Sequence, residues 1–118
     1  MATKDVLGRR GEDLAVEYLR RRGLVVLCRN WRCRDGELDV VATDAGRLVV
    51  CEVKTRSGVG FGDPAEAVTS EKAARIRRVA QVWMGTHSVR WCEVRFDVVA
   101  VLAPPGGRVV LRHYEAAF

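Results

Sequence analysis

The chain has 118 residues. That length leaves room for one hydrophobic core, so a single domain spanning residues 1–118 is expected. A composition of 48% hydrophobic and 30% charged residues excludes an intrinsically disordered chain, and no apolar run approaches the ~18 residues that a membrane span needs. The formal charge of +5 is carried mainly by arginine, the lysines being Lys4, Lys54 and Lys72. Such a balance suits a polyanionic partner, most simply nucleic acid; the plainer reading is an arginine-rich solvated surface. The opening stretch MATKDVLGRRGEDLAVEYLR mixes acids with bases and lacks the apolar segment of a secretory signal, so a cytoplasmic location is expected. Cys28, Cys33, Cys51 and Cys92 form no CxxC pair, and the last two lie in apolar runs, which favours free thiols over disulfides or zinc.

In chain order, apolar residues Leu7, Gly11, Leu14, Ala15, Tyr18 and Leu19 recur at helical spacing, predicting a helix from Asp5 to Arg22 with Gly23 as its cap. Leu24–Cys28 reads as a strand, and the polar, basic stretch Arg29–Gly36 as a loop or an irregular edge. Two strands follow, Glu37–Thr43 and Arg47–Arg56, around a tight turn at Asp44-Ala45-Gly46. Ser57–Asp63, with three glycines, reads as a flexible loop without P-loop spacing, and Pro64 as the return of ordered structure. Thr69 is the expected N-cap of a second helix ending near Met84, its core face made by Ala73, Ile76, Ala80 and Trp83. Arg90–Leu102 and Arg108–Tyr114 read as strands either side of the turn Pro104-Pro105-Gly106-Gly107. The order α-β-β-β-α-β-β predicts an α/β or α+β domain with a central mixed sheet flanked by helices.

The hairpin GELDVVATDAGRLVVCEVKTR is the segment that bears chemistry. With a two-residue turn at Ala45-Gly46, Asp39 falls opposite Glu52 and Glu37 opposite Lys54. Alternation puts Leu38, Val40, Ala42, Val49, Cys51 and Val53 on one apolar face. The other face starts with Val41, Leu48 and Val50 and then carries Glu37, Asp39, Glu52, Lys54 and Arg56. Opposed carboxylates destabilise a bare sheet. Two readings stand: a Mg²⁺ or Mn²⁺ ion held between Asp39 and Glu52, with Lys54 beside it as a fixed ammonium, or a surface network neutralised by Lys54 and Arg56.

The series Gly11-Glu12, Asn30-Trp31-Arg32, GELD, EVKTR, FGDP, Lys72 and Arg95-Phe96-Asp97, in that order over nearly the whole chain, resembles the YraN-like family of small bacterial proteins. Those proteins are similar, distantly, to archaeal Holliday junction resolvases within the PD-(D/E)XK nuclease superfamily. The resemblance implies a restriction-endonuclease-like fold and metal-dependent hydrolysis of a phosphodiester. It gives Asp39 and Glu52 the metal, together with the backbone carbonyl of Val53. Lys54 stabilises developing charge, and Glu12 is the acid brought by the first helix. At the front of the motif Gly-Glu-Leu-Asp stands where the superfamily has Pro-Asp. A dipole-complementing helix acid is the plain alternative for Glu12.

Arg29, Arg32 and Arg34 before GELD, Arg56 after it, and Lys72, Arg75 and Arg78 on the second helix are the candidate phosphate contacts, or else a solvated basic face. Trp31 either stacks on a base or packs, packing being the commoner use. Asp97, in an apolar strand, is expected to pair with Arg95 or cap a neighbouring element; His87 and His113 are expected at the solvent side or an edge. The sequence thus predicts an endonuclease acting on nucleic acid, DNA first, with no membrane partner and with a homodimer if the substrate is branched. The competing class is a DNA-binding or assembly module that keeps the fold without turnover.

Overall fold

In the computed structural model the described residues are 4–57 and 68–118, with the side chains of 4–6 left aside. From residue 58 the glycine-rich segment, with FGDP and Pro64, lies outside them. The elements are α1 (Lys4–Arg21), β1 (Val25–Cys33), β2 (Gly36–Asp44), β3 (Arg47–Arg56), α2 (Ser70–Thr86), β4 (Val94–Leu102) and β5 (Val110–Tyr114). The predicted order is the observed one. The five strands form one sheet in the order β1-β2-β3-β4-β5. Only β3 and β4 run parallel, and the crossover that a parallel pair demands carries α2.

Local chemistry sets the element ends. Gly23 takes a left-handed φ of 92°, and the Leu24 N–H donates to the Leu19 carbonyl at 3.1 Å, closing α1. Thr69 caps α2, its Oγ1 accepting from the Lys72 N–H at 3.1 Å. Ala45 and Gly46 both have positive φ, 50° and 85°, the signature of a hairpin turn whose twist matches its strands.

The sheet is apolar on both faces at its centre, as strands covered from two sides must be. On one face Ala15, Val16 and Leu19 of α1 pack on Val40, Ala42, Val49, Cys51, Val99 and Val101. On the other, Ile76, Val79, Ala80 and Trp83 of α2 pack on Leu38, Val41, Leu48 and Val50. Gly11 lets α1 lie close against β3: a Cβ there would stand 2.0 Å from Thr55 Oγ1.

Several expectations are corrected. Of the two readings of Arg29–Gly36 the edge is the one observed: Arg29–Cys33 is the second half of β1, at the margin of the sheet, and an edge strand tolerates polar side chains because solvent takes its free edge. β4 begins at Val94, not Arg90, because the chain first meets the sheet where the Leu48 N–H donates to the Glu93 carbonyl at 2.9 Å. β5 begins at Val110. Val79, absent from the expected core face of α2, is fully buried, whereas Ala73 is half-buried. Leu38 packs under α2 and not with Val40, for a reason that belongs to the site below. Trp31 packs half-buried against the α2-side core, its ring edge-on to His87 at 6.1 Å.

His113 lies on the edge strand β5, as expected, but its side chain turns inward. That side chain is 5% exposed, with Nε2 2.8 Å from Asp97 Oδ2 and Nδ1 3.2 Å from the Tyr18 hydroxyl. Asp97, wholly buried, takes two guanidinium N–H bonds from Arg95 at 2.9 Å and the Ala116 N–H at 3.0 Å. Both expected roles hold, the ion pair and the cap. The same carboxylate fastens the chain end, where the Ala117 N–H donates to the Phe96 carbonyl and Phe118 packs on Phe96. Burial alone would raise the Asp97 carboxyl, yet His113, Arg95 and the Ala116 N–H outweigh it and hold the group below the usual carboxylate range. Asp97→Asn should therefore cost about 3 kcal/mol in urea unfolding at pH 7, by leaving Arg95 only the longer contacts to Asp44 and Glu115, at 3.7 and 3.8 Å. Because the folded-state pKa is depressed, this contribution is complete above the ordinary carboxylate pKa of about 4 and is lost as pH falls through the lower folded value. The gap between wild type and variant should close in acid.

Candidate active site

The site begins where a ladder stops. The predicted hairpin register holds from Asp44↔Arg47 to Val40↔Cys51, and the pairing ends there. Asp39 does not sit in a backbone pair with Glu52, nor Glu37 with Lys54. Instead the Asp39 carboxylate enters the opening, and its Oδ2 accepts the Val53 N–H at 2.8 Å. In a strand the N–H and C=O of one residue leave by the same edge, so the Val53 carbonyl also faces the opening.

A bend in β1 and β2 makes the opening. Asn30 has φ of 50°, a left-handed conformation that asparagine tolerates better than most residues. It lies between the pairs Arg29↔Val40 and Trp31↔Leu38, beside Asp39. Across this point the alternation of faces breaks: Val40 packs under α1 and Leu38 under α2. The sequence reading assumed unbroken alternation and so missed Asn30. The available signal was an asparagine inside a pairing strand, a residue type that favours turns and left-handed backbone.

Glu52, 12% exposed at its side chain, meets two ammonium groups. Lys54 Nζ lies 3.4 Å and Lys72 Nζ 3.0 Å from the same oxygen, Oε1. Lys54 was expected there. Lys72 was expected among the phosphate contacts; it lines the α2-side cleft, and the first turn of α2 also brings it to the carboxylate site. Burial, followed by the neighbouring Lys72, lowers the Lys54 pKa. Burial also pushes Lys72 down, but contacts with Lys54 and Glu52 prevail and raise it. Asp39 has no ion pair among the described residues. Burial first, then the charge of Glu52, pushes its carboxyl up to about 7 despite the Val53 hydrogen bond, with Glu12 and Glu37 adding to the rise.

Glu12 reaches over the sheet from α1 and is 8% exposed. Its Oε1 accepts from the Asn30 amide at 2.6 Å and from Arg29 Nη2 at 3.3 Å. It thus holds the residue that bends the ladder. Two clefts meet at Glu37 and Asp39. One, of about 370 Å³, opens on the α2 side and includes Glu52, Lys72, Arg34 and Arg75. The other, of about 380 Å³, opens on the α1 side and includes Glu12, Arg32, Lys54 and Arg56. Of the expected site residues, all but Arg29 and Arg78 line one cleft or both. Arg32 also pairs with Glu37 at 3.2 Å, both well exposed, a contact worth little on its own. Arg29 is spent on Glu12 and Asp13, and Arg78 lines neither cleft.

A hard divalent cation fits this donor set. Two carboxylates, Asp39 and Glu52, line one cleft, Asp39 also meets the Val53 backbone, the donors are all oxygen, and Asp39 has no ion pair among the described residues. Among the described residues no group of three or more His, Cys, Asp and Glu side chains gathers to hold a metal. Magnesium, which keeps several waters, does not need such a group.

The fold and site define a class: a small α+β domain whose two-carboxylate, two-lysine centre sits at an opened hairpin between two basic clefts. The chain belongs to the uncharacterised protein family UPF0102, whose model matches residues 11–101. It is 54% identical to a UPF0102 protein of Frankia alni over 100% of this chain and 98% of that relative. It is 52% identical to one from Nocardia farcinica over 98% and 91%, and 46% identical to one from Acidothermus cellulolyticus over 99% and 96%.

Asp39 supplies a test that needs no substrate. A carboxyl whose folded pKa is about 7 keeps its proton in the native state while the unfolded chain has lost it, so stability declines as pH rises from about 4 to about 7. Asp39→Asn keeps an oxygen for the Val53 N–H and removes the charge. It should be more stable than wild type by on the order of 2 kcal/mol at pH 8, with the difference vanishing near pH 4, as read by denaturant unfolding across that range.

Proposed function

We propose that this protein is a divalent-cation-dependent endonuclease that hydrolyses phosphodiester bonds in nucleic acid, with branched or recombination-type DNA as the foremost substrate. The observation that carries the reading is the pairing of Asp39 and Glu52 along one cleft, with Asp39 held on the Val53 N–H and Lys54 beside Glu52. Its second support is the resemblance of GELD and EVK to the PD-(D/E)XK nuclease motif. Asp39, Glu52 and Val53 would hold Mg²⁺ or Mn²⁺. A cation so bound supplies Lewis acidity and lowers the pKa of water.

The chain's own residues do the rest. Lys54, 16% exposed at its side chain, offers its N–H bonds to a phosphate oxygen in a partly desolvated place, where such a donor stabilises developing charge most. Glu12 is a positioning residue: by holding Asn30 it keeps the ladder open at Asp39. Arg32 and Arg56 in one cleft, and Lys72 and Arg75 in the other, meet phosphates on either side of the scissile bond without reading bases.

A second reading is a nucleic-acid-binding module without turnover. It draws on the double neutralisation of Glu52 by Lys54 and Lys72. One experiment separates the two: incubation of branched, single-stranded and duplex DNA with Mg²⁺ or Mn²⁺. Cleavage is expected, and Asp39→Ala, Glu52→Ala and Lys54→Ala should each reduce it by about 10²-fold or more while DNA binding persists. Binding without cleavage by the wild type supports the module, and undiminished cleavage by Glu52→Ala overturns the site as drawn. Paired cuts in branched DNA call for two active sites, so light scattering should report a homodimer at working concentration.

A further inference from the structure

The contact between Lys72 and Glu52 is left unexplained by that reading. One ammonium neutralises one carboxylate, yet Glu52 Oε1 has two, Lys54 at 3.4 Å and Lys72 at 3.0 Å. Two compact like charges on one oxygen repel. The neighbouring Asp39 has no ion pair among the described residues and meets Lys72 only through its charge. The excess positive charge therefore stands at one carboxylate of a pair that together face one opening.

The two lysines differ in setting. Lys54 is fixed on β3 and lines the α1-side cleft; Lys72 enters from the first turn of α2 and lines the α2-side cleft. That turn is pinned by Thr69, whose Oγ1 accepts the Lys72 N–H, so the helix is anchored while the four-carbon side chain keeps its own freedom. The side chain is 26% exposed and borders a space of about 370 Å³ shared with Arg34 and Arg75, an electropositive place for an anion.

We infer that Lys72 is the exchangeable counter-ion of Glu52. It occupies Oε1 in the cation-free protein, gives that oxygen up to a divalent cation, and turns into the α2-side cleft to meet the substrate phosphate. The inference rests on the nuclease reading of the site. A dication on the Glu52 carboxylate repels the ammonium groups already there, so cation and lysine compete for it. Lys54 stays beside Glu52 in both states, and Lys72 is the charge that moves.

The test is Mn²⁺ binding to the full chain without nucleic acid, by titration calorimetry. Lys72→Met removes the competitor and should bind Mn²⁺ about fivefold more tightly than wild type, the factor that a partly exposed ion pair represents. Lys72→Arg retains the charge and should bind near the wild-type level. A measurement on the wild type makes the test independent of any variant's folding: the Lys72 side-chain NMR signal should shift as Mg²⁺ saturates the site. A Lys72→Met protein that takes up Mn²⁺ no more tightly than wild type, or a Lys72 signal unmoved by saturating Mg²⁺, overturns this inference and leaves the nuclease reading standing. A wild type that takes up neither cation overturns both.

Discussion

The Asp39 carboxylate stands where a strand partner would otherwise be. Buried backbone N–H groups must be paired. Extending the β2–β3 register would bring Leu38 to Val53; instead Leu38 turns under α2 and Asp39 Oδ2 takes the Val53 N–H at 2.8 Å. That substitution does three things at once. It satisfies the strand, it turns the Val53 carbonyl toward an opening instead of a ladder, and it places an acid beside Glu52 without a backbone pair to fix the distance between them. Neither a loop nor an unbroken sheet would hold an acid so firmly with its free oxygen available.

Both helices serve this opening from opposite faces. Gly11 allows α1 to lie so near Thr55 that Glu12 reaches Asn30, and Asn30 is the residue whose left-handed backbone interrupts the alternation. On the far face, the Thr69 cap sets the first turn of α2 and with it Lys72. One helix thus contributes an acid that shapes the backbone, and the other a base that balances the charge. The apolar layers beneath, Val40, Cys51 and Val99 on one side and Leu38, Val50 and Ile76 on the other, fix both helices to the sheet and so fix these reaches.

Most of the architecture was legible from pattern. Period-two apolar runs gave the strands of the hairpin, a Gly-containing turn gave its register as far as Val40↔Cys51, and caps at Thr69 and Gly23 gave the helix ends. Glu52 and Lys54 were legible because alternation puts residues two apart on one face of β3, and Asp39 because the hairpin returns β2 alongside them. What failed did so wherever tertiary contacts override a local rule. The second half of β1 stood open between a loop and an irregular edge because an edge strand needs no apolar face on its outer side. Leu38 was assigned the wrong face because the alternation of β2 breaks at Asp39, across from Asn30 and its positive φ. The contacts of Lys72 with Glu52 and of His113 with Asp97 were not foreseen because those partners are far away in sequence, and spacing is silent about such pairs.

Two of the strand aspartates, Asp39 and Asp97, make the functional argument by contrast. Asp97 is completely buried, and it is surrounded: a bidentate guanidinium, an imidazole and a backbone N–H all point at it, and its carboxyl is held below the ordinary range. Asp39 is less buried and has one backbone N–H and three acids for neighbours, so its carboxyl is raised to about 7. A fold that can saturate one acid so fully has the means to do the same for another. An acid left short of positive charge, beside a second acid and between two basic clefts, is a standing cost to stability, and such costs concentrate at sites that bind or react. Asp97 is therefore read as a fastening of the chain end to the sheet. Asp39 is read as a ligand, because the charge it lacks is one that a cation from solution can bring.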